Sequence, residues 1–325
     1  MDNSKIRFFG RHIKKDNYDY FSFSGCGFEF AVLPKTFFYT VTLSMISELR
    51  EHDAQYIAIF VNDKLHSKLK MPEGNNSYTF TLSEQKRTVI KVIKLNETYI
   101  SSIYLKDIVL NGAKFDELPV SNKKIIGFFG DSLTCGYGLL ELHGQDFKPE
   151  TEDFTKAYPY LAAKTLHMDY TVIARSGISV SLPIYVDKLF YEIYDTVDMY
   201  EKCEPEKNLD YAVINLGTND NGAYYQMSED KEKALFKFKQ DYISLILQII
   251  KDSPNVKIII CHNFVEVLPE ITDAIKDVYR LIKENAPNPI ALVEFKTNSD
   301  GANFHPYYPA HEEASKILVE AIKNL

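Results

Sequence analysis

Ile125-Ile126-Gly127-Phe128-Phe129-Gly130-Asp131-Ser132-Leu133-Thr134-Cys135-Gly136-Tyr137-Gly138 is the stretch whose reading decides the fold. Its start is apolar in the manner of a short buried strand, and it runs straight into a turn of small residues. Ser132 is the first hydroxyl after that strand. Open α/β sheets bind ligands at the carboxyl ends of their strands, so a serine here is placed to be a nucleophile. Turn chemistry alone would also put a serine here, so position does not decide between the two.

Downstream, strand-like and helix-like segments alternate. Ile125–Phe129, Tyr170–Ala174, Tyr211–Leu216, Val256–Cys261 and Ile290–Phe295 are short, apolar and rich in β-branched residues. Helical spacing occupies about 155–166, 186–200, 228–251, 270–284 and 309–323. Ala234, Phe236, Phe238, Tyr242, Leu245 and Ile249 mark the apolar face of the third. Such alternation predicts a five-stranded parallel sheet with helices on both faces. Right-handed crossovers bring its strand ends to one edge.

The residues at that edge carry chemistry. Ser132 follows the first strand, Arg175-Ser176-Gly177-Ile178-Ser179 the second, and Gly217-Thr218-Asn219-Asp220 the third. Past the fifth comes Asp300-Gly301-Ala302-Asn303-Phe304-His305-Pro306. Acyl transfer needs a hydroxyl nucleophile, a base and donors aimed at the oxyanion. Ser132, His305, and the backbone N–H groups of Ser132 and Gly177 with the Asn219 amide fill those roles. Each also has a plain reading: a turn glycine at Gly177, a helix cap at Asn219, a packed loop histidine at His305. Their shared edge favours the enzyme. Cys135 is a less well placed nucleophile, and His262 and Tyr224-Tyr225-Gln226 follow strand ends where they could line a pocket.

Upstream, residues 1–115 read as an antiparallel β-sandwich of jelly-roll type. Phe37-Phe38-Tyr39-Thr40-Val41-Thr42-Leu43 and Tyr78–Leu82 alternate like half-buried strands. Tyr56–Val61, Thr88–Leu95 and Ile103–Leu110 add three more strands. Pro72-Glu73-Gly74-Asn75-Asn76 reads as a loop, and Ser47–His52 has room for a short helical turn. The polar stretch Asn111–Lys124 links this part to a second domain spanning 123–325.

Composition sets the limits. The chain has 325 residues, 45% hydrophobic and 25% charged, as in ordinary globular proteins. The net charge of -8 argues against nucleic acid or anionic membrane as a partner. Met1-Asp2-Asn3-Ser4-Lys5 lacks the apolar core of a secretory signal, which predicts a cytoplasmic protein. The four cysteines are scattered without zinc-site spacing, so reduced thiols are expected and no metal.

Gly130-Asp131-Ser132-Leu133, Gly177, Gly217-Thr218-Asn219-Asp220 and His305 resemble the four sequence blocks of the SGNH (GDSL) hydrolase superfamily, over residues 123–325. The resemblance implies a flavodoxin-like α/β/α domain acting as an esterase or deacetylase without metal or other cofactor. It implies Ser132 as nucleophile, Gly177 and Asn219 as oxyanion donors, and His305 as base. The whole chain is similar to carbohydrate esterase family 2, through the preceding β-sandwich, Gly10-Arg11, the Gly136-Tyr137-Gly138 extension and Gly301-Ala302-Asn303-Phe304-His305-Pro306. That similarity implies removal of acetyl groups from the sugar hydroxyls of an acetylated oligosaccharide, with Tyr137 and Phe304 as substrate-binding candidates. A lipid or thioester hydrolase and an inert carbohydrate-binding protein are the alternatives.

Two departures stand out. The superfamily's aspartate three residues before the histidine is Ala302, and position 303 is Asn303. Asp300 is the nearest carboxylate on the N-terminal side, so Asp300 and Asn303 are the candidates for a third member. The expectation is a Ser132–His305 dyad, its imidazole oriented by a backbone carbonyl or by Asn303. The chain also has no tryptophan, and Phe304 stands where the family often places one.

Overall fold

The computed structural model describes residues 5–325; Met1-Asp2-Asn3-Ser4, behind the cytoplasmic expectation, lie outside it. The chain divides into two units, one ending at Asn122 and one spanning Lys123–Leu325. No helix among the described residues is long and apolar enough to cross a membrane.

The first unit is built from antiparallel strands: β1 (Ile6–Phe9), β2 (Ile13–Lys15), β3 (Tyr18–Phe21), β4 (Gly27–Pro34), β5 (Tyr39–Leu49), β6 (Gln55–Val61), β7 (Lys64–Met71), β8 (Gly74–Leu82), β9 (Thr88–Lys94), β10 (Ser101–Asn111) and β11 (Ala113–Asp116). One sheet runs β1-β4-β9-β6-β7 with β11 beside β4, and the other runs β2-β3-β10-β5-β8. In β5 the even pleat works as the sequence predicts, with Tyr39, Val41, Leu43, Met45 and Ser47 buried and the residues between them partly exposed. Phe21 of one sheet meets Phe28 of the other edge-on, with ring centroids 6.3 Å apart.

Local readings needed correction here. Ser47–Leu49 continues β5 rather than turning into a helix, because β10 pairs with it out to Leu49. Phe37 and Phe38 precede the strand and are exposed. Asn75 and Asn76 belong to β8, whose partner Ile46 and Met45 override their weak strand propensity. The linker stretch contains β11.

The second unit is the alternating one. β12 (Ile125–Gly130), β13 (Asp169–Ala174), β14 (Tyr211–Asn215), β15 (Lys257–His262) and β16 (Ile290–Glu294) form a parallel sheet in the order β13-β12-β14-β15-β16. The helices are α1 (Ser132–Cys135), α2 (Tyr158–Thr165), α3 (Phe190–Ile193), α4 (Thr218–Gln226), α5 (Lys231–Asp252), α6 (Pro269–Asn285) and α7 (Tyr308–Lys323). Phe128, Val172, Val213 and Ile259 pack against Tyr158, Ala162 and Ala163 of α2 and Leu318 and Ile322 of α7. The helix expected over 186–200 shrinks to α3, while α4 falls where no helix was expected. The strand order reverses at β12, which places a crevice outside the ends of β12 and β14.

Candidate active site

Ser132 and Asn219 both emerge at that crevice. Gly130 ends β12 where a side chain could not fit: a Cβ would lie 2.0 Å from Thr134 Oγ1. Asp131 then caps α1, its Oδ1 accepting from the Leu133 N–H at 3.0 Å. This leaves Ser132 at the first position of a one-turn helix, 6% exposed. Ser132 Oγ lies 2.8 Å from His305 Nε2.

His305 reaches the serine from the 3-10 turn Ala302–Phe304. Its Nδ1 is 3.0 Å from the Asn303 carbonyl and 3.2 Å from that of Ala302. Carbonyls only accept, so Nδ1 carries the proton and Nε2 presents a lone pair to the serine hydroxyl. Burial holds the imidazole below its ordinary pKa, opposed by these two carbonyls. The ring is therefore neutral, and fit to take a proton, at neutral pH.

The turn is unusual in backbone. Asn303 (φ 49°) and Phe304 (φ 63°) are both left-handed, a conformation asparagine tolerates but one that costs about 1–3 kcal/mol at a bulky residue such as Phe304. They aim the Asn303 carbonyl back at His305. The Asn303 amide points elsewhere, donating to the Tyr137 hydroxyl at 3.1 Å. Asp300 is exposed, accepts from Asn298 Nδ2 at 2.6 Å, and makes no hydrogen bond to His305 among the described residues. Of the two candidates for a third member, Asn303 reaches the imidazole through its backbone and Asp300 does not reach it.

Gly177 is left-handed (φ +80°), and a Cβ there would lie 2.9 Å from Tyr185 Cβ. No acceptor is paired with the N–H of Ser132 or of Gly177 among the described residues. Asn219 is buried in the first turn of α4; its Nδ2 donates to the Ile178 carbonyl at 2.9 Å and lies 3.3 Å from Asp131 Oδ2. It does not cap the helix, whose preceding residue is the left-handed Gly217. An oxyanion beside Ser132 would compete with Asp131 for the more weakly held amide hydrogen.

One group escaped sequence reasoning. Asp220 is wholly buried and accepts the N–H groups of Val180, Ser181 and Leu182 at 2.8–2.9 Å. Burial pushes its carboxyl up to about 6, against those three bonds. It ties the loop carrying Gly177 to the helix carrying Asn219. The only signal was its adjacency to Asn219. Tyr137 stacks on Phe147 (4.1 Å) and lies 4.4 Å from the His305 ring, tilted by 36°, and the exposed Phe304 ring lies 4.4 Å from His143. Tyr224 and His262 are buried, while Tyr225 and Gln226 are exposed, and none bonds to Ser132 or His305 among the described residues. Cys135 is packed in the core. A cleft of about 770 Å³ between Phe190–Tyr200 and Asp241–Gln248 contains neither Ser132 nor His305.

The constellation brings together the hydroxyl, base and donors that acyl transfer needs. Residues 128–324 match the model of the GDSL-like lipase/acylhydrolase family. The chain is 26% identical over 253 residues to the cellulase/esterase CelE of Acetivibrio thermocellus, covering 71% of this chain and 29% of that protein. It thus spans under a third of CelE. Over 304 residues it is 25% identical to an acetylxylan esterase/glucomannan deacetylase of Cellvibrio japonicus, covering 88% of this chain and 83% of that one. A family two carbohydrate esterase from Clostridium thermocellum, solved with cellohexaose, shares the fold with a TM-score of 0.87 at 20% identity, over 98% of both chains.

Proposed function

Because the chain belongs to the GDSL-like lipase/acylhydrolase family, we propose that it is a serine esterase that removes acetyl groups from acetylated saccharides. The observation that carries this reading is the 2.8 Å contact between Ser132 Oγ and a His305 whose proton is fixed on Nδ1. Ser132 attacks the acetyl carbonyl while His305 Nε2 takes its proton. The oxyanion is held by the N–H groups of Ser132 and Gly177 and by the Asn219 amide. His305 then protonates the departing sugar oxygen. Water, activated by the same imidazole, attacks the acetyl-serine and releases acetate.

Among the described residues no carboxylate is hydrogen-bonded to the base. The Asn303 and Ala302 carbonyls hold the tautomer that the acid of a triad would hold. The saccharide substrate is supported by relatives named as an acetylxylan esterase/glucomannan deacetylase and as a cellulase/esterase.

Two assays test the reading. Turnover of p-nitrophenyl acetate, lost in Ser132→Ala, is expected; no burst and no turnover in the unaltered protein would reject an esterase. Release of acetate from acetylated xylo- and manno-oligosaccharides, with octanoyl esters poorly cleaved, is expected of a sugar deacetylase. Preference for octanoyl esters would identify a lipid hydrolase instead.

A further inference from the structure

We propose that Tyr137 is a positioning residue for this dyad: it holds the turn whose carbonyls stand where a triad has its carboxylate, and its ring favours the imidazolium. The proposal rests on His305 being the base. Asn303 and Phe304 are left-handed in succession, a strained pair, and something must keep the Asn303 carbonyl on Nδ1. The Asn303 side chain supplies the link by donating from Nδ2 to the Tyr137 hydroxyl. Loss of that bond frees the turn to relax and withdraw the carbonyl.

The tyrosine is itself held from the nucleophile's side. The N–H groups of Tyr137 and Gly136 both donate to the Ser132 carbonyl, at 3.1 and 3.0 Å. Glycines flank it in left-handed conformation, Gly136 at φ 85° and Gly138 at φ 57°. At Gly138 a Cβ would lie 2.6 Å from the Ala302 Cβ, so only a glycine lets this segment lie against the histidine turn. On its far face Phe147 stacks at 4.1 Å and 17°, which fixes the ring plane. Tyr137 therefore connects Ser132, through backbone, with His305, through ring and amide.

The ring also acts directly on the imidazole. Its centroid lies 4.4 Å from that of His305, at 36°. When His305 takes the serine proton it becomes a cation facing a π surface, which favours the charged form. A triad aspartate supplies both orientation and charge stabilisation. Here the Asn303 carbonyl and the Tyr137 ring divide those two tasks.

Two substitutions separate them. Tyr137→Phe keeps the stack and loses the Asn303 bond; kcat should fall about 3- to 10-fold with KM unchanged, the effect of one hydrogen bond. Tyr137→Leu loses both; kcat should fall about 10- to 100-fold, and the acid limb of kcat/KM should move down by about half a pH unit. The sign follows from removing a group that favours the imidazolium. If the hydroxyl acts through Asn303, the losses in Tyr137→Phe and Asn303→Ala will not multiply in the double variant. The proposal is overturned if both Tyr137 variants keep kcat within twofold of the parent. It is equally overturned if the loss lies in KM alone, which would make Tyr137 a substrate contact, or if the two single losses multiply. Undiminished turnover in His305→Ala would instead overturn the reading on which the proposal rests.

Discussion

Asp300→Ala decides whether the base works without a side-chain acid. In the structure the Asp300 carboxylate is exposed and accepts from Asn298 Nδ2 at 2.6 Å. Asn298 in turn accepts from the N–H of Tyr307 at 2.9 Å, so removal of Asp300 reaches the histidine turn only indirectly. Loss of such a bond costs about 0.5–1.5 kcal/mol, at most roughly a tenfold change in rate. Removal of a true triad acid costs about 10⁴ in kcat, or about 5 kcal/mol. The two cases differ by nearly 4 kcal/mol, far outside assay error. The measurement is kcat/KM on p-nitrophenyl acetate for the parent, Asp300→Ala and Ser132→Ala. Asp300→Ala is expected within tenfold of the parent. A loss as deep as that of Ser132→Ala would refute the dyad. Asn303→Asp should bring no gain either, because that side chain points to Tyr137 and not to Nδ1.

Other expectations follow from the same geometry. Asn219→Ala removes one proposed oxyanion donor and should lower kcat by about 10²-fold with little change in KM, in steady-state kinetics. Gly177→Ala forces a Cβ into left-handed backbone at 2.9 Å from Tyr185 Cβ; the urea midpoint should fall by the equivalent of about 1–2 kcal/mol and kcat should drop with it. Cys135→Ala should retain turnover, since the thiol is packed in the core. His311 is wholly buried, accepts from the Tyr158 N–H at 3.3 Å, and is pushed down to about 3 by burial. Its folded pKa lies below the unfolded 6.5, so the unfolded chain binds the extra proton between those values. Stability present above pH 6.5 should therefore be lost as the pH falls toward 3, by about 1.4 kcal/mol per unit. His311→Gln should flatten that slope in urea titrations; an unchanged slope would disprove a neutral buried His311.

Much of the second unit could be read directly. Its central strands β12, β14 and β15 are buried on both faces, which leaves continuous apolar runs such as Ile258-Ile259-Ile260 between polar boundaries. Its long helices keep an apolar stripe, as in α5. The first unit was less legible. The strand β7, Lys-Leu-His-Ser-Lys-Leu-Lys-Met, is largely exposed and carries no clean alternation, so only its pairing with β6 makes it a strand. The same holds for α4, where Gly222 and two asparagines mask a helix that Asp220 anchors through the loop before α3. Residues 186–200 have helical spacing but, outside α3, fold as irregular bends, where tertiary contacts such as Phe129 stacking on Tyr194 prevail over local propensity.

At the site, the sequence determined which groups are present. Strand patterning put Ser132, Gly177, Asn219 and His305 at one sheet edge, because parallel strands share a direction and end together. It could not determine what stands behind the histidine. That depends on backbone torsions at Asn303 and Phe304, which no residue pattern announces, and on a tyrosine 166 positions away in the chain. Only tertiary structure decided that Asp300 turns to Asn298, that two carbonyls hold Nδ1, and that Tyr137 lies against the imidazole. The physical reason is that two successive left-handed residues, the second a phenylalanine, are held only where partners distant in the chain offset the local strain.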